Sequence, residues 1–281
     1  MQSLNLTDET FDVNQSGNYL LFMQSSLDGY SYAICDSVRK KCILLKHFNT
    51  GSHDWFDYNN SLKTILEGEE PLKLSYKSVH HILNRKEFTI VPEAFLPQNE
   101  QEFQLYYPDS INPGEILIKS AIDVSKSTVI CPYPNFLADT LQRNIKNIKL
   151  SHHSLPFITY LIGESSRTLR HVFHMMIDNN YITIGVAHSG SLDFINSFQI
   201  QTTEDILYFL VSVLEKFRVS PSLAEVYSIN NSSTADIHNK LQPYIGKVRN
   251  LKASQNMVYS YIFTEDILER FANMLNLYHC E

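Results

Sequence analysis

The sequence predicts a mixed α/β (α+β) chain made of two similar units in succession. Two observations carry that expectation. Each half of the chain opens with three strand-like runs separated by tight-turn signals, and each triplet is followed by a helical stripe and then by alternating strands and helices. With 281 residues, the chain is long enough for two cores of roughly 130 residues each. The competing arrangement is a single α+β domain in which the two triplets are coincidental.

Tyr19 to Leu27 is a continuous apolar-to-small run and Tyr30 to Asp36 follows it. Asp28-Gly29 between them is a strong hairpin signal, because both residues tolerate positive φ. Lys41 to Phe48 completes the first triplet. Trp55, Phe56, Tyr58, Leu62, Ile65 and Leu66 then form a helical stripe, with Asp54 at its start and Gly68 just past its end. Val79 to Leu83 and Glu87 to Val91 read as strands, and 100–106 as a short helix. Strands are expected at Glu115 to Ile122 and Ser127 to Cys131, and a helix from Pro134 to Ile145.

The second half repeats the opening. Arg170 to Asp178 and Tyr181 to His188 read as strands joined by Asn179-Asn180, and Ser191 to Ile200 as a third strand after Ser189-Gly190. Thr202 or Thr203 caps the next helix, whose stripe is Ile206, Phe209, Leu210, Val213 and Phe217. Leu207, Val211 and Leu214 give it a second apolar side, the pattern of a sandwiched helix. A strand at Leu223 to Ile229, a helix at Thr234 to Tyr244 and a strand at Lys247 to Leu251 follow. Met257 to Phe263 alternates like an edge strand, and a last helix runs from Thr264 to Leu277. The expected organisation is an N-terminal extension over 1–18, a first domain over 19–150, a second over 151–263 and a C-terminal helix over 264–281.

Composition narrows the function classes. The 23 Lys and Arg against 30 Asp and Glu leave a formal charge of −7, and the basic residues are dispersed, which argues against nucleic acid as a partner. The most apolar stretch, Ile206 to Leu214, falls well short of the roughly 20 residues that cross a bilayer, so no membrane span is expected. Four cysteines without a C-x-x-C pair, and no basic stretch before Arg39, fit a cytoplasmic chain. Only 9 glycines occur, well below the usual share of roughly 7%, and phosphate-cradling loops usually need glycine.

The segments "QSSLDGYSYAICD", "FTIVPEAFL", "LSHHSLPFITYL" and "LDFINSFQIQTTEDILYFLVSVLEKF" resemble the Bacteroidetes-type family known as domain of unknown function 3822, over about Tyr19 to Leu251. The resemblance implies an actin-like ATPase fold: two ribonuclease H-like domains facing one another across a cleft. It carries no established activity. Hydrolytic members of that superfamily place an Asp near the end of the first strand of each domain, next to Gly-rich phosphate turns, and bind adenosine near a late Gly-Gly pair.

Against that pattern, the candidate nucleotide residues here are Ser25, Ser26, Asp28 and Gly29 in the first turn, Asp178 and Asn179 in the second, and Asn230 and Asn231 at the adenosine turn. Both phosphate loops read as shortened to hairpins, with Ser25 and Ser26 where the first carboxylate belongs and Met175 and Met176 in the corresponding strand of the second domain. The expected function is a degenerate, non-hydrolysing interaction or assembly module with a protein partner. The alternative is an ATPase or phosphotransferase using these unusual residues, for which ATP and magnesium would be the cofactors.

Other signatures are weak. Gly185 to Gly190 has P-loop spacing, but Ser191 stands where the Lys belongs. If Asn179-Asn180 is a two-residue turn, cross-strand positions sum to 359, so His171 faces His188 while His174 lies on the other face. Two imidazoles with no acidic residue at ligand spacing are too few to hold a metal, and none is expected. The doublets His80-His81 and His152-His153 cannot aim both rings at one point from a strand; Ser154 and Pro156 mark a helix entry after the second. Tyr30, Tyr32, Tyr106, Tyr107, Tyr133, Tyr259 and Tyr261 fall at turns or element ends, where tyrosine serves interfaces or core rims.

Overall fold

A computed structural model describes residues 2–97, 99, 111–178, 180–230 and 237–281. The chain divides into two compact units: 1–121 with 126–155 and 254–264, and 122–125 with 156–253 and 265–281.

The first unit is built on β1 (Gln2–Thr7), β2 (Tyr19–Ser26), β3 (Gly29–Asp36) and β4 (Lys41–Asn49), then α1 (Trp55–Gly68) and β5 (Ser78–Leu83). After β5 come β6 (Thr89–Pro92), β7 (Glu115–Ile122), β8 (Ser127–Pro134), α2 (Asn135–Asn144) and β9 (Ile148–His152). The main sheet runs β1-β4-β3-β2-β5-β9, while β6-β8-β7 form a separate three-stranded sheet. The triplet is antiparallel, and β5 and β9 continue it in parallel. Strands β2 and β3 are buried along almost their whole length because both faces are covered. Asp54 caps α1 by accepting from the Asp57 amide. The core gathers Tyr19, Leu21, Met23, Tyr30 and Tyr32 of the sheet with Tyr58 and Leu62 of α1 and Leu137 and Leu141 of α2.

The second unit opens with α3 (Ser154–Ser165), which the division enters at Pro156. Then follow β10 (Val172–Ile177), β11 (Tyr181–His188), β12 (Ser191–Gln199), α4 (Thr203–Lys216), β13 (Glu225–Asn230), α5 (Ile237–Leu241) and β14 (Lys247–Asn250). Strand β15 (Val258–Tyr259) belongs to the first unit, and α6 (Glu265–Arg270) and α7 (Ala272–Leu275) return to the second. The sheet order is β12-β11-β10-β13-β14. It is the order of β4-β3-β2-β5-β9, with the same parallel fourth and fifth strands. This repeated order is the duplication that the element sequence predicts. Thr202 and Asp205 close a reciprocal capping box at the start of α4. Gly185 of β11 lets α3 approach closely, since a Cβ there would lie 2.7 Å from Leu161 Cδ2 and 2.8 Å from Phe157 Cε1.

Several expectations need correction. Gln2–Thr7 is a full strand paired with β4, not merely an extension; its short alternation of small polar residues lacks the apolar signal of a core strand. Residues 148–152 form the edge strand of the first sheet next to β5, and β6, β7 and β8 form their own sheet before it in the chain. Gly68 is the last residue of α1 rather than its stop. Helix α4 buries one face only: Ile206, Leu210, Val213 and Leu214 are buried, whereas Leu207, Phe209 and Val211 are partly exposed. The last helix breaks at Phe271 into two short pieces. Met257 to Phe263 pairs over only two residues, with β4. The expected helix at 100–106, Tyr106 and Tyr107 lie outside the described residues.

The three-stranded sheet is tied to the main sheet of the first unit through Arg85, just beyond β5. Its guanidinium pairs with Glu115 Oε1 at 2.8 Å and Glu87 Oε2 at 2.9 Å, and donates to the Pro132 carbonyl at 3.1 Å. The Arg85 and Glu115 side chains are only 10% and 12% exposed. Removing one member of such a pair leaves a desolvated charge behind, which costs roughly 3–5 kcal/mol. Arg85→Met, which keeps the stem volume, is therefore expected to lower the urea midpoint by that equivalent; a loss under about 1 kcal/mol would show that Glu115 is solvated after all.

Candidate functional site

The carboxyl ends of parallel strands are where open α/β sheets bind ligands, and in the first unit those ends carry Ser25 of β2, Asn84 after β5, and His152 and His153 after β9. Parallel pairing sets Ser25 beside Leu83 and Leu83 beside His152.

Ser25 is fully buried. Its hydroxyl accepts from the Tyr58 hydroxyl at 2.6 Å and lies 2.7 Å from His81 Nε2. The other ring nitrogen, His81 Nδ1, is 3.1 Å from the Tyr133 hydroxyl. Burial lowers the His81 pKa to about 3, so the ring is neutral near pH 7. One proton arrangement satisfies the whole chain: Tyr58 donates to Ser25, Ser25 donates to Nε2, and Nδ1–H donates to the Tyr133 oxygen. Ser25 and His81 thus have the contacts of a nucleophile and its base, but neither side chain is accessible. The arrangement is a closed, uncharged strut between β2, β5, α1 and β8.

The other first-turn residues build a tight hairpin. Ser26 Oγ accepts from the Gly29 amide at 3.3 Å and faces the Gly29 carbonyl at the same distance. Ser26 pairs directly with Gly29, so the two loop residues are Leu27 and Asp28. Neither Asp28 nor Gly29 has a positive φ, which corrects the reason the sequence suggests for them. Gly29 is required by space instead: a Cβ would stand 2.6 Å from His47 Cε1 and 2.7 Å from the Phe48 carbonyl oxygen. Asp28 is exposed at the tip, and its carbonyl accepts from the Thr50 amide at 2.8 Å.

In the second unit, Asp178 follows the last residue of β10. Its amide donates to the Tyr181 carbonyl at 2.9 Å, and its carboxylate accepts from the Tyr181 hydroxyl at 3.4 Å. Asn230 ends β13 and pairs with Ile177, so Asp178 and Asn230 share the carboxyl end of two adjacent parallel strands. Asn179 and Asn231 lie outside the described residues. The second triplet follows the 359 rule, with Val172 opposite Ala187 and Met176 opposite Thr183. Ser189 and Gly190 both have positive φ, as a two-residue hairpin requires.

The candidate residues therefore form one hairpin in the first unit and one strand end in the second. The sequence does not reveal Tyr58 and His81, the partners of Ser25, or Tyr133, which bonds the other nitrogen of the His81 ring. His81 has a local sign, a histidine inside an apolar strand, whereas Tyr58 and Tyr133 read as ordinary core positions. Tyr30, Tyr32 and Tyr133 are fully buried, Tyr259 is partly buried, and Tyr261 is 86% exposed, so three of the five described tyrosines considered for an interface are core. The doublet His152-His153 also departs from expectation: β9 ends at His152, and the turn lets the two rings lie 4.1 Å apart. His152 Nδ1 sits 2.8 Å from Ser154 Oγ, while Nε2 faces the Arg85 carbonyl at 2.8 Å. Burial holds His152 at about 3 and pushes His153 in the same direction.

Among the described residues no helix is long and apolar enough to cross a membrane, and no disulfide is formed by the four cysteines.

Comparison with known proteins agrees with this architecture. A family model described as a protein of unknown function (DUF3822) matches residues 8–248. A Bacteroides thetaiotaomicron protein with actin-like ATPase fold and unknown function aligns with a TM-score of 0.77 at 20% identity, covering 97% of this chain and 100% of that one. The PilM-PilN type IV pilus biogenesis complex aligns at 0.59 and 11% identity, covering 93% and 98%. The ethanolamine utilization protein EutJ from Carboxydothermus hydrogenoformans aligns at 0.50 and 8% identity, covering 92% and 88%. A search of curated proteins finds no match. At these identities the solved structures establish the fold, actin-like ATPase, and nothing finer.

Proposed function

The chain belongs to the DUF3822 family of proteins of unknown function, and on that premise we propose that it is a non-hydrolysing member of the actin-like ATPase fold that acts by binding another protein. One observation carries this reading. The strand end where hydrolytic relatives place a carboxylate holds Ser25, and Ser25 is sealed among Tyr58, His81 and Tyr133 with no charged group in the chain of hydrogen bonds. Hydrolysis of a phosphoanhydride needs carboxylates to hold a metal and orient water; a neutral, buried strut does neither. The tight hairpin at Leu27-Asp28 likewise leaves no open loop of backbone amides for a phosphate. A protein-binding role fits the PilM-PilN structure, in which a protein of this fold is found in a complex.

A second reading, nucleotide binding without turnover, rests on Asn84. Its side chain is buried at the carboxyl end of β5, and neither its amide nitrogen nor its oxygen has a hydrogen-bond partner among the described residues. A buried amide of this kind is normally satisfied by water or a ligand.

The two readings separate in one set of measurements. The purified chain is expected to show no ATPase or phosphotransfer above a no-protein control with ATP and Mg2+. An activity abolished in Asp28→Ala or Asp178→Ala would overturn the proposal. A melting shift with ATP that disappears in Asn84→Ala, without turnover, would establish the second reading; ligand at 100 times its dissociation constant should add about 2.7 kcal/mol.

A further inference from the structure

At the opposite end of the second sheet from Asp178, three potential metal ligands converge that the sequence does not bring together. His171 precedes β10 and His188 ends β11, and their rings lie 4.9 Å apart with planes tilted by 30°. The third is Asp193 of β12. Val186 pairs with Phe194 but Ala187 pairs with Leu192, so Asp193 is the extra residue of a β-bulge. A bulge locally re-aims side chains. Here it accompanies a carboxylate oxygen 3.5 Å from His171 Nε2. One ligand atom from each of the three residues falls within 4.8 Å of the others.

We propose that His171, His188 and Asp193 form a binding site for a divalent transition-metal ion of the zinc class, with an open coordination position. The geometry supports this in magnitude. Ligands at about 2.0–2.1 Å from a tetrahedral zinc stand roughly 3.4 Å from one another, close to the His171–Asp193 separation. The remaining gap closes by side-chain rotation, because His171 and Asp193 are 34% and 32% exposed. His188 Nε2 faces the Leu169 carbonyl at 3.1 Å and Ser189 Oγ at 3.3 Å. A carbonyl only accepts, so Nε2 carries the proton and Nδ1 keeps the lone pair. A backbone carbonyl fixing the tautomer of a ligating histidine in this way is the common outer-shell arrangement. Phe217 packs 5.2 Å from the His171 ring and 6.1 Å from Phe173, giving the site an apolar wall. Two imidazoles with one carboxylate select zinc, cobalt or nickel over magnesium and calcium, which require mostly oxygen ligands. Three protein ligands leave the fourth position to water or to a group from a partner.

The test uses the untagged full chain, freed of metal with a chelator and titrated with ZnCl2 by calorimetry. One ion per chain is expected, and Co2+ should give the intense visible bands of a tetrahedral or five-coordinate site. His171→Ala and His188→Ala should each weaken binding by roughly tenfold or more, at least the loss typical of removing an outer-shell partner. Asp193→Asn should weaken it too and alter the cobalt spectrum. His53→Ala, at an exposed histidine of the other unit, should change nothing. The proposal is overturned if no stoichiometric ion binds, or if the three variants bind as tightly as the unaltered chain. Should an alanine variant fail to fold, the isosteric Asp193→Asn and the cobalt spectrum decide.

Discussion

Acidification from pH 7 to pH 5 is expected to destabilise the first unit steeply. His81 and His152 are held at about 3 by burial, against 6.5 for an unhindered imidazole, and burial depresses His153 as well. For His81 and His152 the unfolded chain binds a proton that the folded chain refuses throughout the interval from about 6.5 down to about 3. Their contribution is therefore fully present above 6.5 and is lost as the pH falls. One refused proton costs about 1.4 kcal/mol per pH unit, so each such histidine removes roughly 2 kcal/mol by pH 5. The two together remove roughly 4 kcal/mol, close to the lower end of the stability of an ordinary domain, about 5–15 kcal/mol. Asp8 acts in a different window: burial opposes its charge, but hydrogen bonds from Ser260, Thr10 and Lys41 together outweigh it and hold the carboxyl below the ordinary carboxylate range, so its contribution is lost only at still lower pH. Urea midpoints measured from pH 7.5 to 4.5 check the expectation. A flat profile between 6.5 and 5 would mean that the rings are hydrated, and His81→Gln should reduce the slope by about one proton.

Replacing Ser25 by Asp should not convert the chain into an ATPase; it should cripple folding. The new carboxylate would enter a site with no solvent and no cation, bordered by the Tyr58 hydroxyl and a neutral imidazole. It must then stay protonated, or draw a proton onto His81 and bury an ion pair. Either outcome costs several kcal/mol, because desolvation exceeds what the mutual attraction returns. A loss of about 3 kcal/mol or more by urea denaturation is expected, with no turnover. Ser25→Ala provides the scale, since it leaves the Tyr58 hydroxyl and His81 Nε2 each without a partner at about 1–3 kcal/mol apiece. An aspartate variant as stable as the parent, or one that hydrolyses ATP, would show that the pocket is open and that the proposed function is wrong.

These two results separate what was legible along the chain from what was not. Strand and helix positions were legible wherever one periodicity ran unbroken: β11 and β7 fall at the expected residues, and Thr202 caps α4. The 359 register was legible because a two-residue turn leaves only one pairing. β1 was not, because its polar alternation gains meaning only from β4 beside it. Helix α4 looked two-sided because its sequence is apolar around most of its circumference, while only one side meets the sheet.

The candidate sites show the same limit more sharply. The sequence by itself determined that two triplets of strand-like runs follow one another, each with a helical stripe after it, that short turn signals follow the first run of each, and that a serine stands at the first strand end. Those follow from local steric rules and from counting. Only the tertiary structure decided that this serine is closed off, because Tyr58, His81 and Tyr133 come from three elements separated by tens of residues and meet through packing. It also decided the reverse for His171 and His188. The sequence pairs them across a hairpin without an acid at ligand spacing, and only the fold brings the Asp193 carboxylate to 3.5 Å from His171. A single extra residue in β12 sits at that point, and a bulge is a compromise between neighbouring strands that neither strand's sequence contains alone.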